Sequence, residues 1–267
     1  MERDQWLDLN RRGMEAAFAG FVRSAGGEVI ERGGVLAGIN PHVPERSVFN
    51  SVIYSDAGAL GAIRDELAVA YASNGCAWTV WVPEGDSACA GLLAEAGHEL
   101  DAEPRAMGME LGGFPEPDFA GIEWSRSEDT LDAALLNDHA YGYPEGTWLR
   151  GTGRAPEGQI TYLARSDSAP VATVAARYVD GDCSVWSVAT EPQARGRGLA
   201  SALMRLALWE AAEAGCKTTT LQATRLGAPV YRALGYMDLG ALQMWEYRPP
   251  QLAAHSPPGD TASPPVA

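Results

Sequence analysis

Long apolar runs are missing from this 267-residue chain. None approaches the roughly eighteen residues that a membrane-spanning helix needs, and the opening residues Met1-Glu2-Arg3-Asp4-Gln5 lack the basic-then-apolar order of an export signal. No membrane partner is expected. Cysteine is scarce: Cys76, Cys89, Cys183 and Cys216 form no C-x-x-C pair, and His42, His98, His139 and His255 are equally scattered. Neither a disulfide framework nor a metal site follows from such spacing, so a cytoplasmic, metal-free protein with reduced thiols is expected. Cations are the minority, 20 Lys and Arg against 35 Asp and Glu, a net charge of −15. That balance repels phosphodiester chains, which excludes nucleic acid as a partner, and attracts cationic small molecules or peptide amines.

Against that acidic background one short segment is cationic. Gln193-Ala194-Arg195-Gly196-Arg197-Gly198 combines two arginines with two glycines. Upstream, Cys183 to Thr190 is β-branched and follows the turn Val179-Asp180-Gly181-Asp182, which reads as a strand. Downstream, Leu199 to Ala214 contains no Gly or Pro, is dominated by Ala and Leu, and stops at Gly215, which reads as a helix. A helix start binds anions, because its first amides lack intrahelical partners and the peptide dipoles add about half a positive charge. Glycines let the backbone approach a ligand closely, and arginines pair with phosphate oxygens. A pyrophosphate site at a strand–loop–helix junction is therefore expected. A Walker loop is excluded, since no Gly-Lys-Ser/Thr follows. The dinucleotide fingerprint also fails, because its third glycine is absent and Leu221 to Thr224 offers no acidic residue.

The segment resembles the Q/R-x-x-G-x-G/A signature of the GCN5-related N-acetyltransferase (GNAT) family. A second element of that family follows in order: a strand, Thr218 to Ala223, a helix, Ala228 to Leu234, then Gly235-Tyr236. The resemblance covers about residues 120 to 248. It implies a mixed α/β fold with a central mixed sheet flanked by helices, acetyl-CoA as co-substrate, and transfer of an acetyl group to a primary amine of a small molecule or peptide. By the same resemblance Val188, Ala189 and Thr190 stand at the acetyl group. Arg195, Gly196, Arg197, Gly198, Leu199 and Ala200 hold the pyrophosphate, and Tyr231 donates a proton to the departing thiolate. A phenol near its ordinary pKa of about 10 is protonated at neutral pH and can do this.

Two roles are less tightly specified. Asp182 stands where some family members carry a catalytic glutamate, although a turn aspartate also has a local reason to exist. The acceptor site is expected from an amphipathic helix, Leu131 to His139, and the aromatic loop Tyr141 to Trp148, with Asn137, His139, Tyr141 and Tyr143 as its candidates. A non-catalytic acyl-CoA-binding sensor or scaffold protein with the same fold is the alternative reading.

Ahead of the resembling region lies a second stretch of alternating elements. Trp6 to Ser24 and Gly58 to Ser73 read as helices, and Gly34 to Asn40, Ser47 to Ser55 and Ala77 to Val82 as strands. Trp78 to Leu111 echoes Leu221 to Tyr247 at an offset of about 138 residues. The fold is therefore expected twice in tandem: residues 1–112 as one domain, 113–120 as linker and 121–248 as the catalytic domain. Leu93 occupies the position equivalent to Tyr231, and Tyr54 to Gly61 carries Asp56 and no arginine. The first domain is thus expected to be degenerate. Residues 249–267 hold six of the seventeen prolines and few large apolar side chains, and are expected to be a disordered tail. Exposed sheet edges in such folds pair two chains, which leaves a homodimer open.

Overall fold

A computed structural model describes residues 1–118 and 121–253. Glu2 and Gln5 form a capping box that starts helix α1 (Arg3–Ser24), and its buried residues Trp6, Asn10, Gly13, Met14, Ala17 and Phe21 recur at helical spacing. The chain continues through β1 (Glu28–Arg32), β2 (Val35–Ile39), a 3-10 turn at Ser47–Phe49, β3 (Ser51–Tyr54), α2 (Ala57–Ser73), β4 (Trp78–Pro83), α3 (Ser87–Glu95), β5 (Glu99–Ala102) and β6 (Arg105–Glu110). Then come β7 (Glu123–Ser127), α4 (Leu131–Tyr141), α5 (Thr147–Thr152), β8 (Gln159–Ser166), β9 (Ala169–Val179), β10 (Asp182–Thr190), α6 (Leu199–Glu213), β11 (Thr218–Ala223), α7 (Ala228–Leu234), β12 (Met237–Tyr247) and α8 (Pro250–Ala253). The order strand, strand, strand, helix, strand, helix thus occurs in both stretches, followed by two strands in the first and by one in the second. No helix among the described residues is long and apolar enough to cross a membrane.

All twelve strands belong to one mixed sheet, ordered β1-β2-β3-β4-β12-β6-β11-β10-β9-β8-β7, with β5 pairing on β12. The centre of this sheet is an exchange. Strand β6, from the first stretch, lies between β11 and the start of β12, with Thr218↔Glu110 on one side and Met237↔Gly108 on the other. In return the end of β12 lies between β4 and β5, through Tyr247↔Trp78 and Trp245↔Leu100. The boundary at 113–120 therefore divides the sequence but not the sheet. Strand β12 is continuous, and its two ends serve different neighbours.

Helix α1 crosses this exchange. A Cβ on Gly13 would sit 2.6 Å from Ser184 Oγ, and one on Gly20 would sit 2.5 Å from Arg177 Nη2, so the helix rests on β10 and β9 through bare backbone. Phe18 packs against Trp81 of β4 and Trp186 of β10, at centroid distances of 5.9 and 5.4 Å. Asn10 Nδ2 donates to the Leu221 carbonyl at 3.1 Å, and Gln222 Nε2 donates to Asn10 Oδ1 at 3.2 Å. Across the sheet, α6 buries Leu199, Leu203, Leu206 and Ala207 against β8, β9 and β10.

Local readings differ from the structure at several places, among them strand β7, which has no counterpart in the sequence reading. The beginning of the Ser47–Ser55 strand is a 3-10 turn, pinned by Asn50, whose side chain donates to the Val43 and Arg46 carbonyls and accepts from Asn40 N. Strand β1 and helix α5 have no counterpart in the sequence reading. The tail opens with α8, and the disorder expected for 254–267 lies outside the described residues.

Candidate functional site

Strands β10 and β11 pair in parallel only at Asp182–Ser184 with Thr218–Thr220, and then part. On its other side β10 shifts register against β9 between Trp186 and Ala189, where Ser187 takes a φ of 50°. A bulge of this kind bends the strand and re-aims its backbone. Val188, Ala189 and Thr190 thereby come to line a groove of about 610 Å³, walled by the loop after β10, the start of α6, and Thr224, Leu226, Gly227, Val230 and Tyr231.

The loop ends on two left-handed glycines. Gly196 and Gly198 both have a φ of 76°, and a Cβ at either would meet nothing within 4 Å. Glycine is thus required by the backbone, while the space beside it stays open. Gly198 caps α6 without any side-chain bond, and no acidic residue occupies the first turn, so the amides of Leu199, Ala200 and Ser201 face the groove with their dipole charge uncompensated. Arg197 is exposed and has no partner among the described residues. Arg195 instead folds back, donating to the carbonyls of Thr190 and Ala140 at 3.3 and 3.2 Å. The corresponding helix start in the first stretch is closed. Asp56 caps α2 by accepting from Ala59 N at 2.9 Å, a bond that holds its carboxyl below the ordinary range, and Tyr54 donates to Asp86 at 2.8 Å.

Residues 157–238 match the family model of the acetyltransferase (GNAT) domain. The match makes residues 157–238 a GNAT acetyltransferase domain. Its fold extends beyond the matched residues. A GCN5-related N-acetyltransferase from Kribbella flavida aligns over 92% of this chain and 98% of its own, at 22% identity and a TM-score of 0.63. A putative GNAT-family acetyltransferase from Novosphingobium aromaticivorans covers 89% and 96% at 19% identity, with a TM-score of 0.58. A tandem GNAT protein from the clavulanic acid biosynthesis pathway covers 92% and 94% at 15% identity, with a TM-score of 0.56. At these identities the likeness is one of fold. No curated protein matches the chain.

Within the GNAT domain Tyr231 is 2% exposed and lines the groove, its ring set edge-on to Tyr236 at 5.9 Å. Burial pushes its phenol well above the ordinary value, so it stays protonated across the neutral range. Leu226 and Val230 are 75% and 40% exposed, an apolar lip that sequence reading missed. Their signal was available: both follow the carboxyl end of β11, where ligands of parallel strands gather.

The four acceptor candidates divide. Tyr141 lines the groove, donates to the Val188 carbonyl at 2.9 Å and stacks on Trp148. Asn137 is fully buried and turned back to the Ala133 carbonyl at 2.7 Å, and Tyr143 is buried beneath the Arg46 guanidinium. His139 is surface-placed, 2.8 Å from Glu191, which raises its pKa. None of these three lines the groove. Sequence reasoning also passed over Asp138, which accepts from Gly146 N and Trp148 N at 2.7 and 2.8 Å and so seats α5.

Asp182 is not brought to the groove. It is the first residue of β10 rather than part of a turn, and lies roughly 25 Å along that strand from Thr190. It is 1% exposed beneath α1 and accepts from Thr220 Oγ1 at 2.7 Å. The strand begins one residue earlier than its β-branched run suggests, because Asp182 pairs with both Val179 and Thr218.

Proposed function

We propose that the protein is an N-acetyltransferase that moves an acetyl group from acetyl-CoA to a primary amine of a small molecule or peptide by direct attack. The observation that carries this reading is the combination, in one groove, of an uncapped helix start and a buried, protonated tyrosine. Acetyl-CoA supplies the activated acetyl group as a thioester. Gly196 to Ala200 offer amides to its pyrophosphate, with Arg197 as the accompanying cation. Val188 to Thr190 present the bulged backbone edge to the thioester and the pantetheine arm, where amide donors offset the charge developing on the carbonyl oxygen. The amine nitrogen bonds to the acetyl carbon, the carbon–sulfur bond breaks, the sulfur takes the Tyr231 proton, and water takes the proton released by the amine. Asp182 has no part in this scheme.

We also propose the tandem reading, which the element order and the exchanged strands support. On it, the first stretch is a GNAT-like unit whose own anion site is filled by Asp56 and whose work is to complete the sheet and wall the second unit.

A thiol-release assay with acetyl-CoA and a panel of amines tests the reading. Turnover on at least one amine, reduced by Tyr231→Phe, is the expected result. Tight CoA binding with no turnover on any amine, and no effect of that substitution, would transfer the protein to the second reading, an acyl-CoA sensor. One observation favours that second reading: no Asp, Glu or His lines the groove among the described residues, so no side chain there serves as base.

A further inference from the structure

The end of α4 is tied to β10 and its loop at three consecutive residues. His139 Nδ1 lies 2.8 Å from Glu191 Oε1, the Ala140 carbonyl accepts from Arg195 Nη2 at 3.2 Å, and the Tyr141 hydroxyl donates to the Val188 carbonyl at 2.9 Å. Arg195 completes the span by donating from Nε to the Thr190 carbonyl at 3.3 Å. The Ala140 carbonyl belongs to the last turn of its helix, where carbonyls lack intrahelical partners and a cation is favoured. A single guanidinium therefore joins the end of α4 to the end of β10. Turning Arg195 toward a phosphate would break both of its bonds, whereas Arg197, between its two glycines, would break none.

We propose that Arg195 is a positioning residue that straps the end of α4 to β10, fixing the groove wall formed by Ala140 and Tyr141, and that phosphate is left to Arg197. The use of that wall rests on the acyl-CoA reading above, but the strap is a property of the chain alone. Its loss frees the helix end on the acceptor side without removing a phosphate ligand. Lysine is no substitute at this position, because an ammonium lacks the fork that reaches two carbonyls in different directions.

Hydrogen–deuterium exchange on the full chain, with no ligand added, reads the strap directly. R195Q and R195K should each raise amide exchange at residues 139–143 by about fivefold and leave α6 unchanged, while R197Q changes neither. Calorimetry with CoA should show R197Q weakening binding by about tenfold, and both Arg195 variants by less than about twofold. With an amine found by the thiol-release assay, R195Q should raise the amine KM at an unchanged acetyl-CoA KM, a split that general destabilisation would not produce. Unchanged exchange at α4 in R195Q, or CoA weakened as much by R195Q as by R197Q, overturns the proposal. Failure of the wild-type chain to bind CoA would instead sink the acyl-CoA reading and leave the exchange result standing.

Discussion

Tyr231 is the residue at which the proposed chemistry is most exposed to test, since Phe removes one hydroxyl and keeps the buried ring. Tyr231→Phe is expected to lower kcat by about a hundredfold and leave the CoA Kd unchanged, measured by thiol release and calorimetry. Asp182 provides the contrast. Its distance from the groove leads Asp182→Asn to retain turnover within about twofold in the same assay; a hundredfold loss would restore the residue to catalysis. Stability is a separate question. Burial raises the Asp182 pKa above its unfolded value despite the bond from Thr220. A carboxyl raised in this way contributes stability below the ordinary carboxylate range and loses it as pH rises through the folded value. Urea unfolding of wild type and D182N should therefore move in favour of the variant between pH 4 and pH 8. Tyr231 could be read from the sequence, being four residues before Gly235 in a helix that local signals delimit. The burial of Asp182 could not, because it depends on α1, whose residues lie far away in the chain.

Among the elements, the loop and α6 are the most legible, and α5 the least. Glycines, a helix-forming run and a terminal Gly215 are local signals, whereas α5 is short and is seated by Asp138 from the preceding helix. The contact of α1 with the sheet is likewise invisible in one dimension, although Gly13 and Gly20 are two turns apart on one face. Gly13→Ala, helix-favouring in isolation, is expected to destabilise the protein by about 1–3 kcal/mol in urea unfolding, because the new methyl meets Ser184 at its Cβ, which cannot swing away. The tie between α4 and β10 should respond to pH. Glu191 first, and then Glu145 and Asp138, raise the His139 pKa above 6.5. The ion pair is thus complete below the unfolded pKa and is lost as pH rises through the higher folded value. NMR titration of His139 should give a pKa above 6.5 that falls in Glu191→Gln.

For the whole molecule, the consequence of the strand exchange is that neither stretch is complete alone. Residues 121–253 lack β6 between β11 and β12, and residues 1–118 lack the strand between β4 and β5. A fragment of 121–253 expressed alone is therefore expected to show no cooperative thermal unfolding, and co-expression with 1–118 to restore it. Independent folding of the fragment would show that the exchange is dispensable. The net charge of −15 acts at this scale as well. It leaves the helix start at Gly198 and Arg197, unpartnered among the described residues, as a local cationic feature on an acidic body.

By itself the sequence determined the glycine loop, the helix behind it, the order of β11, α7 and Tyr231, and the mixed α/β class. Each of these rests on glycine conformations, helix ends and hydrophobic periods that act over a few residues. Only the tertiary structure decided that β6 and β12 change places, that α1 rests on β9 and β10, that Asp182 is buried away from the groove, and that Arg195 is occupied while Arg197 is not. Strand partners and side-chain bonds of that kind join residues up to 236 positions apart. Their energies are set by which surfaces meet in the fold, and no local pattern specifies that.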